Sequence, residues 1–350
     1  MVRTSLYDVL AASGAHFGEY RGAETPARFT APKDELQALR AGCGLYDLGW
    51  QARMVVTGED RQRWLNGMIT NNIRDLQENQ GVYSFLLTPQ GRIQGDMFVY
   101  HRGDRMLIDS DWSQVEKLKE IFERYIIMDD VEIAAPVSTN AIGLEGPMVQ
   151  KQLQDAGFNV EGMQPLEVKT TSASVEVVYK PAAKHSAYEL SGPVSQIANL
   201  WEQFAAAGAT PVGFEALDLW RIAKGVPLYG QDISERYLPQ ETEQMQALHF
   251  SKGCYVGQEI VERIRSRGQV HRGLAGFAIQ DAAAAITPGA KIQREGKDVG
   301  EITSVALLPS QNGAAAKKVA LGYIRREAGS AGTEVLVNGA AARVSNLPFE

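Results

Sequence analysis

The sequence predicts an α+β fold that ends in a small all-β domain. Three observations carry this. Residues 53–134 read as strand, helix, three strands, helix, strand. A second run of similar plan covers 139–223. Beyond Gln280–Pro288, with four consecutive alanines, only strand patterns remain.

Taken in order, residues 1–50 open with a short helical pattern. Asp34 is placed to cap a helix over Glu35–Arg40, with Leu36 and Leu39 inward and Gly42 or Gly44 ending it. Arg53–Thr57 reads as a strand, and Gly58-Glu59-Asp60 leads into a short helix carrying Trp64 and Leu65. Val82–Leu87, the turn Thr88-Pro89-Gln90-Gly91 and Arg92–His101 form a hairpin, followed by a strand at Met106–Asp109. Ser113 starts a helix with Val115, Leu118, Phe122 and Tyr125 on one face, and Val131–Ala134 closes the unit. In the second unit, Thr139–Leu144 is a strand and Glu145-Gly146-Pro147 breaks it to start a helix. Strands at Val175–Tyr179 and Tyr188–Leu190 precede helices at Ser195–Ala207 and Gly213–Ala223. In the tail, Lys291–Arg294 and Val299–Val305 form a hairpin, Lys318–Ile324 is a strand, and Gln311–Ala316 is a flexible loop. Asn338-Gly339, between Glu334–Val337 and Ala341–Ser345, is a strong type I′ turn signal. A partly closed barrel is expected.

At 350 residues the chain has room for several domains and a sizeable core. With 44% hydrophobic and 22% charged residues it is an ordinary globular composition. The apolar runs are far short of a membrane span, and residues 1–8 lack the apolar core of a signal peptide, so a cytoplasmic protein is expected. The two cysteines, Cys43 and Cys254, are too few for a disulfide framework or a metal site within one chain, and no metal is expected. A net charge of -7 argues against general nucleic-acid binding. The local exception is Arg263, Arg265, Arg267, His271 and Arg272, which read as a solvated face or as a cationic rim for a carboxylate, a polyglutamate tail or RNA.

The densest chemistry lies in Lys252-Gly253-Cys254-Tyr255-Val256-Gly257-Gln258-Glu259. A helical pattern follows at Ile260, Val261 and Ile264, so Cys254 falls in a loop ahead of a helix N-terminus. There the dipole and Lys252 would both favour a thiolate. A small buried cysteine in a glycine turn is the plain alternative.

This stretch, K-G-C-Y-x-G-Q-E, resembles the signature of the YgfZ family, folate-binding relatives of the glycine-cleavage T-protein. Leu238-Pro239-Gln240-Glu241 and His249-Phe250-Ser251 ahead of it fit as well. The N-terminal phrases Gly14–Phe17, Pro26 and Gly44-Leu45-Tyr46-Asp47-Leu48 resemble the start of T-proteins. The resemblance implies two α+β units around a central folate cavity plus a C-terminal barrel. The first unit would comprise 1–52 and 138–272, with 53–137 inserted as the second and 273–350 as the barrel.

In Gly91–Tyr100, alternation puts Gln94, Asp96 and Phe98 on one strand face. T-proteins carry "G-G-x-x-D-D-L-x-V-Y" here, whose second Asp is the acid/base group at the folate N10. Asp96 matches it, while Gly95 replaces the first Asp and Arg92 the second Gly. By the same resemblance Tyr83, Tyr100, Glu189, Arg221 and Tyr229 would contact folate, Glu189 at the pterin edge. The T-protein "G-Y-T-G-E-D-G-F-E" is lost in Tyr179–Glu189 apart from the Glu. Asp109 and Trp112 stand where T-proteins tend to have an Asn-containing loop.

The leading expectation is therefore a tetrahydrofolate-binding monomer of the YgfZ type. It would serve iron–sulfur cluster assembly or repair in client proteins, with an effect on tRNA modification. Cys254 would be its reactive group, Lys252 would activate it, and Gln258 and Glu259 would orient it. The alternative is an enzyme proper, a folate-dependent aminomethyltransferase in which Asp96 manages a proton.

Overall fold

The computed structural model describes residues 1–181, 186–309 and 315–349, and only the backbone of Pro181 and Arg267. Residues 182–185 of the departing stretch and 311–314 of the expected loop lie outside the described residues. The chain divides into two compact units. One comprises Met1–Ser84 and Met97–Leu217, the other Phe85–Asp96 and Asp218–Glu350.

Two sheets are built from residues 44–211; every described pairing in the first is antiparallel, and the second is antiparallel except where Thr210–Pro211 runs parallel to Gly44–Asp47. One runs in the order Val137–Ser138, Gln51–Thr57, Arg105–Asp111, Ile93–Arg102, Gly81–Leu87, with Glu132–Ile133 added beside Gln51–Thr57. The other runs Val168–Thr170, Glu176–Pro181, Ser186–Ser191, Ala141–Glu145, Gly44–Asp47, Thr210–Pro211. The helix Val194–Ala206 buries Ile197, Leu200, Trp201 and Phe204 in a core with Leu45, Ile142, Leu144 and Leu190. This is the apolar stripe of a surface helix meeting a sheet face. The helix Val115–Arg124 buries Leu118, Ile121 and Phe122, and Phe122 meets Trp64 of Arg61–Met68 edge-on.

Asp34 does not cap its helix. That helix runs Pro32–Ala41, with proline at the first turn, and Asp34 falls inside it. The neighbouring Glu35 does the tying instead. Its buried carboxylate accepts the backbone N–H groups of Phe29 (2.6 Å), Thr30 (2.6 Å) and Gly213 (2.8 Å). The sequence reading also missed a hairpin, His16–Tyr20 with Ala23–Arg28, although Arg21 and Gly22 both take positive φ at its turn.

In the second unit the C-terminal strands close completely, in the order Arg272–Ile279, Lys317–Arg325, Lys297–Leu308, Lys291–Arg294, Glu334–Val337, Ala340–Ser345. The barrel is thus closed rather than partly open. The unforeseen strand Arg272–Ile279 pairs with both Lys317–Arg325 and Ala340–Ser345, which removes the edges. No described helix is long and apolar enough to cross a membrane.

Candidate functional site

In the first unit, a carboxylate stands among aromatic rings. Glu189, on the strand Ser186–Ser191, pairs with Lys180 Nζ (3.1 Å) and accepts a hydrogen bond from Gln51 Nε2 (3.3 Å). The Lys180 ammonium lies 3.4 Å from the Phe98 ring centroid and 5.5 Å from that of Tyr100. Tyr83 leans on Phe98, with ring centroids 5.1 Å apart. Tyr100 is buried, and its hydroxyl has no hydrogen-bond partner among the described residues. Burial, with the negative Glu189 and Asp109 nearby, pushes its pKa well up, so it stays protonated. Gly81 permits the Tyr100 ring to lie against the neighbouring strand, since a methyl there would come within 2.4 Å of Cδ1. Around this cluster Arg53 chelates Asp109 (2.6 and 2.8 Å) and reaches Glu176 (3.1 Å), which Arg102 also holds (2.8 Å).

Tyr83, Tyr100 and Glu189, all expected at a folate, thus fall in one unit, with Glu189 among the charges that act on Tyr100. Lys180, Phe98 and Gln51 were not singled out in the sequence. Phe98 was legible two residues from Asp96 on the same face. The Lys180–Glu189 pair was not, because it depends on a register that sets Lys180 opposite Ala187 and Glu189 opposite Val178.

The other expected contacts belong to the second unit. Along the strand, Gln94, Asp96 and Phe98 are half-buried while Ile93, Gly95, Met97 and Val99 are buried, as alternation requires. Tyr229 donates its hydroxyl to the Gln94 carbonyl oxygen (2.5 Å). Arg221 does not present its guanidinium to a ligand. It donates to Asp218 (2.5 Å), Asp232 (2.7 Å), Ser304 Oγ (3.0 Å) and the Val226 carbonyl (3.3 Å). These bonds occupy the fork that a folate carboxylate would need, so Arg221 is a clamp onto the barrel.

The signature loop precedes the helix Gln258–Arg267, which Gly257 starts with φ +81°. Cys254 is exposed and lies outside the helix's first turn, where the dipole acts. Lys252 is buried, which pushes its pKa down to about 7, and its Nζ sits 5.0 Å from the Tyr255 ring centroid. A lysine whose ammonium is disfavoured by burial is a weaker electrostatic activator of Cys254 than the sequence suggested. Gln258 is engaged with backbone rather than with the thiol: Oε1 accepts the Tyr255 N–H (3.3 Å), and its own N–H donates to the Tyr255 carbonyl (3.2 Å). Glu259 is exposed in the helix's first turn, and Gly253 has open space around it.

Lys252 carries a pH prediction. Its folded pKa is depressed from 10.5, so the fold carries no penalty from it above that pH. The penalty grows as pH falls toward about 7, by about 1.4 kcal/mol per pH unit at most. Urea melts of wild type and Lys252→Met should therefore converge at high pH and separate toward pH 7, with the variant the more stable. Parallel stability curves would refute the buried, destabilised ammonium.

Two arginines of the basic segment are engaged, while Arg263 is exposed. Arg272 is held by Glu241 (2.9 Å) and stacks over Tyr237 and Tyr323, and Arg265 donates to the Phe250 carbonyl (2.9 Å). Nothing in these contacts supports the expected RNA rim.

An antiparallel sheet and a mixed sheet followed by a closed six-stranded barrel, with a carboxylate set among aromatics and an acid on a hairpin strand, define a T-protein-like class of chain. Residues 6–252 match the GCVT N-terminal domain, and 272–349 match the glycine cleavage T-protein C-terminal barrel domain. The chain belongs to the glycine cleavage T-protein family. It is 28% identical to an aminomethyltransferase of Rippkaea orientalis, over 96% of this chain and 93% of that one. It is 29% identical to one from Rubrobacter xylanophilus, covering 99% and 94%. The glycine cleavage system aminomethyltransferase T from Bartonella henselae superposes with a TM-score of 0.88 at 22% identity, over 99% of this chain and 98% of that one. These relatives overturn the leading expectation of an iron–sulfur cluster assembly or repair protein with client enzymes and tRNA effects. Along nearly its full length the chain is similar to proteins named for aminomethyl transfer.

Proposed function

We propose that this chain is a folate-dependent aminomethyltransferase. The observation that carries the reading is similarity to aminomethyltransferases over nearly the whole length of both chains, through the barrel. The residues of the first unit suit a pterin. Glu189 offers a carboxylate to the two N–H groups on one edge of a 2-amino-4-oxo ring. Tyr83 and Phe98 present half-buried rings, and Tyr100 brings a buried hydroxyl with no partner among the described residues. Tetrahydrofolate supplies the nitrogen that accepts the one-carbon unit. Lys180, paired with Glu189 at 3.1 Å, orients it. Asp96, half-buried on its strand, holds or moves the proton that release of ammonia requires. Cys254 has no assigned step in this reading.

An anaerobic single-turnover mixture with tetrahydrofolate and an aminomethylated lipoyl carrier protein tests it, with ammonia and methylene-folate followed together. Stoichiometric product is expected. Tight folate binding without product would overturn the transferase reading. In the same buffer, Glu189→Gln should weaken folate binding by about 1–3 kcal/mol, roughly five- to 150-fold, in calorimetry. Unchanged affinity would remove Glu189 from the pterin edge.

A further inference from the structure

The strand that leads to Asp96 is held by the signature helix through two glycines. A methyl on Gly257 would stand 2.5 Å from the Thr88 carbonyl oxygen, 3.0 Å from Leu87 Cβ and 3.2 Å from Gly91 Cα. Gly91, with φ +75° at the hairpin turn, faces Ile260, and a methyl there would lie 2.8 Å from Ile260 Cβ. Each glycine is thus required twice, once for its backbone angle and once for the approach. Thr88 closes the turn by accepting the Gly91 N–H (2.8 Å) and donating to the Arg92 carbonyl (2.8 Å).

From the turn onward the strand is pinned at three successive residues. Arg92 Nη1 donates to the Arg236 carbonyl (2.9 Å), the Ile93 N–H to the Tyr237 carbonyl (3.3 Å), and Tyr229 binds the Gln94 carbonyl (2.5 Å). Asp96 is two residues further on. The Arg236 carbonyl also accepts from Arg272 (2.9 Å), which grips Glu241, so the pinning segment is itself fixed to the barrel.

We infer that the signature loop and helix are a positioning device for Asp96, with Gly257, Gly91 and Tyr229 as the positioning residues. The glycine at 257 is then set by the hairpin beneath it rather than by any ligand of Cys254. Tyr229 acts through the Gln94 carbonyl instead of on folate. The catalytic meaning of Asp96 rests on the transferase reading, whereas the packing that places it does not.

The test uses the full-length protein with ¹³C-labelled aspartate carboxyls, and Asp96→Asn assigns the Asp96 resonance. Its titration is followed in wild type, Gly257→Ala and Tyr229→Phe. Gly339→Ala is the control, since Gly339 also has positive φ (+83°) but open space around it. In Gly257→Ala and Tyr229→Phe the Asp96 midpoint should move by about half a pH unit or more, with no change in the control. Turnover should fall about 100-fold with KM little changed, as for a displaced catalytic group. Should Gly257→Ala fail to fold, Tyr229→Phe decides alone, because it deletes one oxygen from a half-buried ring. An unmoved Asp96 titration in folded Tyr229→Phe overturns the inference. Absent turnover in wild type sinks the transferase reading instead and leaves the titration result standing.

Discussion

Asp96→Asn should abolish most aminomethyl transfer, lowering single-turnover rates by about 10²- to 10⁴-fold, while folate affinity changes far less. The substitution keeps the shape of the side chain and removes its negative charge and its capacity to gain or lose a proton. The surroundings favour a clean result. Asp96 is half-buried on a strand whose other face is buried, so the pleat sets which face its side chain occupies. The measurement is rapid-quench product formation with folate binding measured alongside. A variant that turns over at the wild-type rate would show that the proton is handled elsewhere. One that loses binding and rate in equal proportion would make Asp96 a ligand group rather than an acid or base.

The second large effect is on stability. Asp232→Ala should cost about 3–5 kcal/mol, read as a lower urea midpoint at similar slope. Asp232 is fully buried, and each carboxylate oxygen takes two donors. Oδ1 accepts from Thr303 Oγ1 (2.5 Å) and Ser304 Oγ (2.7 Å), and Oδ2 from Arg221 (2.7 Å) and the Leu228 N–H (3.0 Å). A shift of register between Ile302 and Ser304 brings both hydroxyls to the same carboxylate. Truncation would strand the Arg221 guanidinium beside Asp218, which is partly exposed and satisfies only one of its nitrogens. A cost below about 1 kcal/mol would mean that water replaces the carboxylate, and Arg221 would again be available to a ligand.

How far the site could be read in advance varied with what each residue depends on. The half-buried face of Gln94, Asp96 and Phe98 followed from alternation, because side-chain direction in a strand is local. The Asn338-Gly339 turn followed from residue type, and both residues take positive φ (48° and 83°). The strand Arg272–Ile279 was missed because Gly273 and Gly276 weaken its strand signal. Gly276 is there for a distant reason, since Leu347 and Phe349 press to within 2.7 and 2.8 Å of where its Cβ would stand. The engagement of Arg221 with Asp232 and Ser304, and that of Lys180 with Glu189, join positions with no local relation. A pattern along the chain carries no sign of such pairs.

The sequence alone determined the α+β plan, the β-rich tail, the hairpin with its acid and the glycine spacing of the signature. All of these depend on backbone angles and periodicities spanning a few residues. Only the tertiary structure decided that the barrel closes, that Arg221 is a clamp, that Lys252 is buried with a depressed pKa, and that Gly257 rests on the turn below Asp96. Those outcomes depend on which surfaces lose water together and which charges are left to neutralise each other, and burial and pairing exist only once the chain has folded.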